Sequence, residues 1–176
     1  MSEPTISPTA IKTYSGVWFD ALNIDPDLIR LEDIAHALSN LCRYTGHCRE
    51  FYSVAEHSFW VSTQVPEDYR LAGLMHDASE AYLNDIAKPL KDSPLYVEYR
   101  ELEEQLQAAI YSKFRIPFLT VPKPVKLADR RLYETEARDL MGSDFTGIRG
   151  LDLTDPSDPY GAKTLFLQRY RQLTTY

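Results

Sequence analysis

The sequence predicts an all-α fold, a compact helical bundle with a small extended hairpin near its start. Three observations carry that prediction. Apolar residues recur at helical spacing through most of the chain, with Gly46, Pro66 and the Pro117–Pro124 loop punctuating those stretches. A short stretch near the N-terminus has the β-branched and aromatic content of strands. The 176 residues fit one domain. Residues 1–10, polar and Pro-containing, read as a flexible arm, and residues 11–176 as the single domain.

The elements follow in order. Ile11 to Phe19 is expected to form two short extended pieces turning at Ser15-Gly16. Ile34, Ala35, Leu38, Leu41 and Cys42 make an apolar stripe, with Gly46 as its stop. Val54, Ser58, Val61 and Val65 make a second stripe, ended at Pro66, and Leu71, Leu74, Met75, Ala78 and Tyr82 a third. Tyr99, Leu102, Leu106, Ala109, Ile110 and Phe114 form the next, with Glu and Gln on its outer side. Pro124 suits the first turn of a helix running through Leu140. The Gly-, Asp-, Ser- and Pro-rich segment from Gly142 to Pro159 is loop, and Ala162 to Leu173 is a closing helix.

Composition narrows the function. An apolar fraction of 44% with 12% aromatics builds a sizeable core. The net charge of −7 argues against binding nucleic-acid polymers or anionic membranes, which needs clustered positive charge. It leaves room for a small phosphorylated substrate held by a few local cations. Cys42 and Cys48 are too few for a disulfide framework and read as small packing residues. No apolar run approaches the ~18 residues that cross a bilayer. Met1 to Thr5 has no signal-peptide pattern, so the expected location is the cytoplasm.

Polar residues on apolar faces mark the chemistry. His57 lies within about a sixth of a turn of the Val54/Val61 stripe, at ~100° per residue. His76, Asp77 and Glu80 fall on one narrow arc opposite Leu71, Met75, Ala78 and Tyr82. Asp129 shares the stripe of Val125, Leu132 and Leu140, where an unpaired carboxylate is costly and demands a cation or donors. Glu136, on the same stripe, reads as a buried partner for an Arg or a backbone end. Together His57, His76, Asp77 and Asp129 offer imidazole and carboxylate ligands suited to one divalent transition metal. Mn, Co and Zn lead, with Mg a further candidate. Four protein ligands leave open positions for water and a substrate oxygen. Glu80 and Asp85 remain for proton transfer.

The pieces Ser53-Val54-Ala55-Glu56-His57-Ser58, Leu74-Met75-His76-Asp77-Ala78-Ser79-Glu80 and Lys126-Leu127-Ala128-Asp129 resemble the HD-domain metal-dependent phosphohydrolase superfamily. The similarity runs from about Ile11 to Leu140 and is greatest to the compact branch of bacterial 5'-deoxynucleotidases and phage deoxynucleoside triphosphate hydrolases. The resemblance implies an HD-domain bundle with His57, His76, Asp77 and Asp129 as ligands. It makes Glu80 and Asp85 the pair that assists the attacking water and the leaving group. Arg43 matches an arginine that holds phosphate. That branch often has Trp next, against the sugar; here it is Tyr44, with spacing to His57 shifted by about one residue, so deoxy-over-ribo selectivity does not carry over. Trp18 reads either as a replacement wall or as a core aromatic. Lys88 or Lys91 is placed to reach phosphate, His47 and Arg49 to line the site mouth, and His36 either to touch phosphate or to stand exposed on its helix. The branch commonly forms homo-oligomers, which is the expectation here.

The expected activity is metal-dependent hydrolysis of a nucleotide ester or anhydride, on a (deoxy)nucleoside 5'-monophosphate or triphosphate. The alternatives are hydrolysis of a signalling nucleotide (an alarmone or cyclic dinucleotide) and a non-catalytic nucleotide sensor.

Overall fold

A computed structural model of the protein describes residues 6–175; residues 1–5 of the expected arm and residue 176 lie outside the described residues. The Ser7 and Thr9 hydroxyls both donate to Asp20 Oδ2, at 2.6 and 2.9 Å. Strands β1 (Ile11–Lys12) and β2 (Trp18–Phe19) pair antiparallel, Ile11 opposite Phe19. Asp33 fastens this hairpin to the first helix, accepting from Ser15 N at 2.6 Å and Ser15 Oγ at 2.9 Å.

The α-helices are α1 (Leu31–Asn40), α2 (Val54–Thr63), α3 (Arg70–Leu74), α4 (Glu80–Leu83), α5 (Lys88–Lys91), α6 (Val97–Lys113), α7 (Lys123–Met141) and α8 (Pro159–Thr174), with residues 142–158 forming the expected loop. Helix α2 is the hub. It packs against α1, α3, α7 and α8, and seven of its ten residues are buried. A helix surrounded in this way has little use for a polar face. Its start is fixed by Ser53, whose Oγ accepts from Glu56 N at 3.1 Å. Pro124 sits in the first turn of α7, and Gly142 ends that helix in the left-handed conformation (φ 72°). Among the described residues no helix is long and apolar enough to cross a membrane.

Two elements depart from the periodicity. Helix α1 stops at Asn40 rather than near Gly46, because Leu41 and Arg43 turn to pair with the chain entering α2. Val54 N donates to Leu41 O (3.0 Å), Arg43 N to Tyr52 O (2.9 Å), and Cys42 bridges Ser53. The loop beyond is strained. Tyr44 (φ 54°), Thr45 (φ 56°) and Gly46 (φ 80°) are all left-handed, a conformation unfavourable for a β-branched residue. The tight turn presents Arg43 and Tyr44 to α7. The second departure is the stretch from Leu71 to Tyr82, expected as one helix. It is split into α3 and α4 by turns at residues 75–79, where Ala78 N reaches Met75 O and Glu80 N reaches Asp77 O. Side chains from α6 occupy the backbone groups that a continuous helix needs. Tyr111 OH donates to Ala72 O at 3.1 Å, and Gln107 contacts Met75 O and Ser79 N. Gln107, expected on the outer side of its helix, is only 5% exposed.

Candidate metal centre

His57 is wholly buried in α2. Its Nδ1 lies 2.6 Å from Glu136 Oε1, so Nδ1–H donates to the carboxylate and Nε2 points the other way. His76, in the break after α3, donates from Nδ1 to Gly73 O at 2.8 Å, which likewise frees its Nε2. The two Nε2 atoms face one another at 3.3 Å. Asp77 Oδ2 lies 3.2 Å from His76 Nε2 and 3.6 Å from His57 Nε2. Asp129 Oδ1 lies 3.2 Å from His57 Nε2. Ligand atoms of His57, His76 and Asp129 all fall within 4.8 Å of one another.

This arrangement suits a divalent cation. Nitrogens bound ~2.1 Å from one ion stand roughly 3.0–3.4 Å apart, which brackets the observed separation. Two lone pairs facing each other repel unless a cation or a proton lies between them. Orientation of each imidazole through its Nδ1 is what metal-binding histidines show, and Glu136 supplies the carboxylate version of it.

Glu136 is the hinge of the electrostatics. It is fully buried and accepts from Arg43 Nε (3.1 Å) and the Tyr44 hydroxyl (3.1 Å), while Arg43 Nη2 lies 3.0 Å from the same oxygen. Burial raises its pKa, but Arg43 and His57 outweigh that and hold it at about 2. In His57, burial and Arg43 push the pKa down, and Glu136 and Asp129 lift it to about 9. Burial raises Asp77 as well, yet His76, His57 and Arg43 keep it well below the carboxylate range. Asp129 is lowered by His57 against the same penalty.

These shifts set a pH profile for the metal-free protein. Glu136 stabilises the fold fully above its ordinary value of 4.5, and that contribution fades as pH falls toward 2. His57 stabilises it fully below its ordinary 6.5, and that contribution is lost as pH rises through about 9. The thermal midpoint in chelator is therefore expected to be highest between roughly pH 4.5 and 6.5. An ion held by this cluster would replace the proton between the imidazoles, and saturating Mn²⁺ would then flatten the alkaline arm. A scanning-fluorimetry series across pH, with and without chelator, reads this. Identical profiles with and without the ion would refute it.

The other candidate residues divide. Asp129, expected to face the core, sits at the rim with its side chain 41% exposed, because only its Oδ1 turns inward to His57. Glu80 is 6% exposed; its Oε1 lies 3.5 Å from Lys91 Nζ and its buried Oε2 has no hydrogen-bond partner. Burial, then Asp77 and Asp85, push its pKa well above the ordinary value. Asp85 is raised too, by burial, within the influence of Arg43 and Asp77. Lys91 is held mainly by Glu103, at 2.7 Å. A cleft of about 200 Å³ opens beside His76 and Asp77, lined also by Ser79, Lys91, Gln107 and Val121.

Tyr44 spends its hydroxyl on Glu136 and stacks its ring on Tyr133 at 6.0 Å. Trp18 is not brought to the cluster: it is 43% exposed on the hairpin, with Lys12 Nζ 5.9 Å from its ring. Lys88, 84% exposed, pairs with Asp92. His36 stacks on Tyr14 (centroids 3.8 Å apart) instead of standing free. His47 is exposed in its turn, and Arg49 lies over Gly142 at the end of α7. Cys42 and Cys48 are free and half-buried. Sequence reasoning missed the bond from Glu136 to His57, although its signal was present: Glu136 follows Asp129 by two helical turns on one stripe.

No family model matches the chain. It is 37% identical over 133 residues to the uncharacterized protein RCAP_rcc00048 of Rhodobacter capsulatus, an alignment covering 70% of this chain and 67% of that protein. It is 40% identical over 172 residues to the uncharacterized protein YfdR of Escherichia coli, covering 93% of this chain and 95% of that one. With that identity over nearly the full length of both, this chain belongs to the same family as YfdR.

Proposed function

We propose that the protein is a metal-dependent phosphohydrolase of the HD-domain type, acting on a nucleotide. The observation that carries the reading is the pair of Nε2 atoms facing each other at 3.3 Å, each oriented through its Nδ1, with Asp77 and Asp129 beside them. His57, His76, Asp77 and Asp129 would hold the ion, with Mn, Co or Zn favoured by the mixed imidazole and carboxylate set. Bound there, it would supply Lewis acidity, making water more acidic and polarising a phosphoryl oxygen.

The remaining roles belong to the chain. Glu80 keeps its proton through burial and its acidic neighbours, and gives it to the departing oxygen. Lys91 holds Glu80 Oε1, and Oε2, which makes no hydrogen bond, is left to carry that proton. Asp85 takes the proton released by the attacking water. Arg43 directs Nη1 toward Asp77 at 3.9 Å and offsets charge on the phosphoryl group. A non-catalytic sensor has no use for a buried, proton-bearing carboxyl in this position. A monophosphate would yield nucleoside and phosphate; a triphosphate cut at the α-phosphorus would yield nucleoside and triphosphate.

The test is a panel of nucleoside mono- and triphosphates assayed with Mn²⁺, Co²⁺, Mg²⁺ and Zn²⁺ after chelation. Metal-restored release of phosphate or triphosphate is expected. No metal-dependent release from any of them overturns the reading.

A further inference from the structure

Side chains of α6 are hydrogen-bonded into the break between α3 and α4. In a continuous helix the carbonyls of Ala72, Gly73 and Met75 accept from the amides of residues 76, 77 and 79. Here the Tyr111 hydroxyl donates to Ala72 O at 3.1 Å, His76 Nδ1 to Gly73 O at 2.8 Å, and Gln107 Nε2 to Met75 O at 2.7 Å. Ser79 N, the helical partner of Met75 O, donates instead to Gln107 Oε1 at 3.1 Å. One carboxamide is thus spliced into the bond that would join Met75 to Ser79, satisfying both halves of it. Gln107 and Tyr111 are four residues apart and share one face of α6. Both are buried, at 5% and 0% exposure.

The residues inside the opened turn are His76 and Asp77. Consecutive side chains on a regular helix diverge by ~100°, so two neighbours meet at one ion only when it lies between their two directions. In the opened turn His76 Nε2 and Asp77 Oδ2 stand 3.2 Å apart. We propose that Gln107, backed by Tyr111, is a positioning residue for the metal centre: by holding residues 75–79 out of helix, it brings two adjacent side chains onto one ion. This rests on the metal reading above. A glutamine is required because the splice needs a donor and an acceptor on one short planar group. Leucine provides neither, and Ser79 N is then free to return to Met75 O.

The experiment is a Co²⁺ titration of the full chain, reading Kd by calorimetry and the d–d absorption of the bound ion. Gln107→Leu is expected to weaken Co²⁺ binding by roughly 10- to 100-fold and to shift the absorption bands. Ile110→Ala, a core change on the same helix, is expected to lower the thermal midpoint while leaving both readouts as in the wild type. Gln107→Glu keeps the acceptor for Ser79 N and, when ionised, lacks the donor for Met75 O. It should weaken binding by a smaller factor, and it carries the test if Gln107→Leu does not fold. Wild-type Kd and spectrum in the Gln107 variants overturn the positioning role. Failure of the wild type itself to bind Co²⁺ overturns the metal reading, before any variant is compared.

Discussion

Glu136→Ala is expected to give a protein that melts far below the wild type and no longer retains a metal ion. His57 is buried, Arg43 is largely so, and both are turned to that carboxylate, at 2.6 and 3.0 Å. Removing one partner of a buried ionic group costs about 3–5 kcal/mol, because the partner left behind has lost its solvent and gained nothing. For a chain of this size that is a fall of roughly 10 °C or more in thermal midpoint. Metal binding suffers separately. Without an acceptor at Nδ1 the His57 ring loses its orientation, and Nε2 no longer faces His76. Glu136→Gln distinguishes the two effects: it keeps the volume and one acceptor but not the charge. Its midpoint should fall less, while metal affinity should still drop by roughly 10- to 100-fold. Calorimetric melting and metal titration on the two variants check this, and a Glu136→Ala protein with wild-type midpoint and affinity would contradict it.

The second large effect separates chemistry from metal binding. Glu80→Gln is expected to retain the ion, since its ligands are untouched, while turnover falls by ~10²-fold or more, the scale of losing a general acid. Asp77→Ala should remove both ion and activity, because an anionic group 3.2 Å from His76 Nε2 is gone. Stability should move the opposite way in the Glu80 variant. A carboxyl whose pKa is raised by folding opposes the folded state above its ordinary value of 4.5. Replacing it with a neutral amide therefore raises the midpoint at pH 7. Metal content, melting and phosphate release on both variants decide the assignment. Normal turnover in Glu80→Gln, or metal loss as complete as in Asp77→Ala, would show the roles to be wrong.

The parts of this site legible in the sequence were those that violate a helical pattern locally. His57 beside Val54 and Val61, and Glu136 on the stripe of Leu132, are polar groups on buried faces, and such groups must have partners. Asp129 was visible by the same logic, although a helical wheel does not show where along a helix the core gives way to a cleft, so its exposure was not foreseen. The split between α3 and α4 was hidden for another reason. Leu71 to Tyr82 keeps an unbroken helical stripe, and the groups that open it, Gln107 and Tyr111, lie 28 and 39 residues away from their partners Ser79 and Ala72. Periodicity measures neighbours in sequence and is blind to an inserted side chain. The early end of α1 is similar: what stops it is pairing with Tyr52 and Val54, across a loop whose strained turn has no signature beyond Gly46.

The distance along the chain from His57 to Glu136 also bears on how the protein is made. Seventy-nine residues separate the two groups whose bond orients the buried imidazole, and Arg43 stands 93 residues from the same carboxylate. Contacts of such separation form after local ones, since the intervening chain must first be ordered. During synthesis α2 emerges with His57 unsupported, and α7 follows only once most of the chain has left the ribosome. Until α7 docks, Asp129 and Glu136 are both absent from the cluster, so the nascent chain lacks one carboxylate of the set and the group that orients His57. On the proposed metal reading, an ion held by the complete set would act as a latch on the finished bundle, tying the late-arriving helix to the early one and slowing its release.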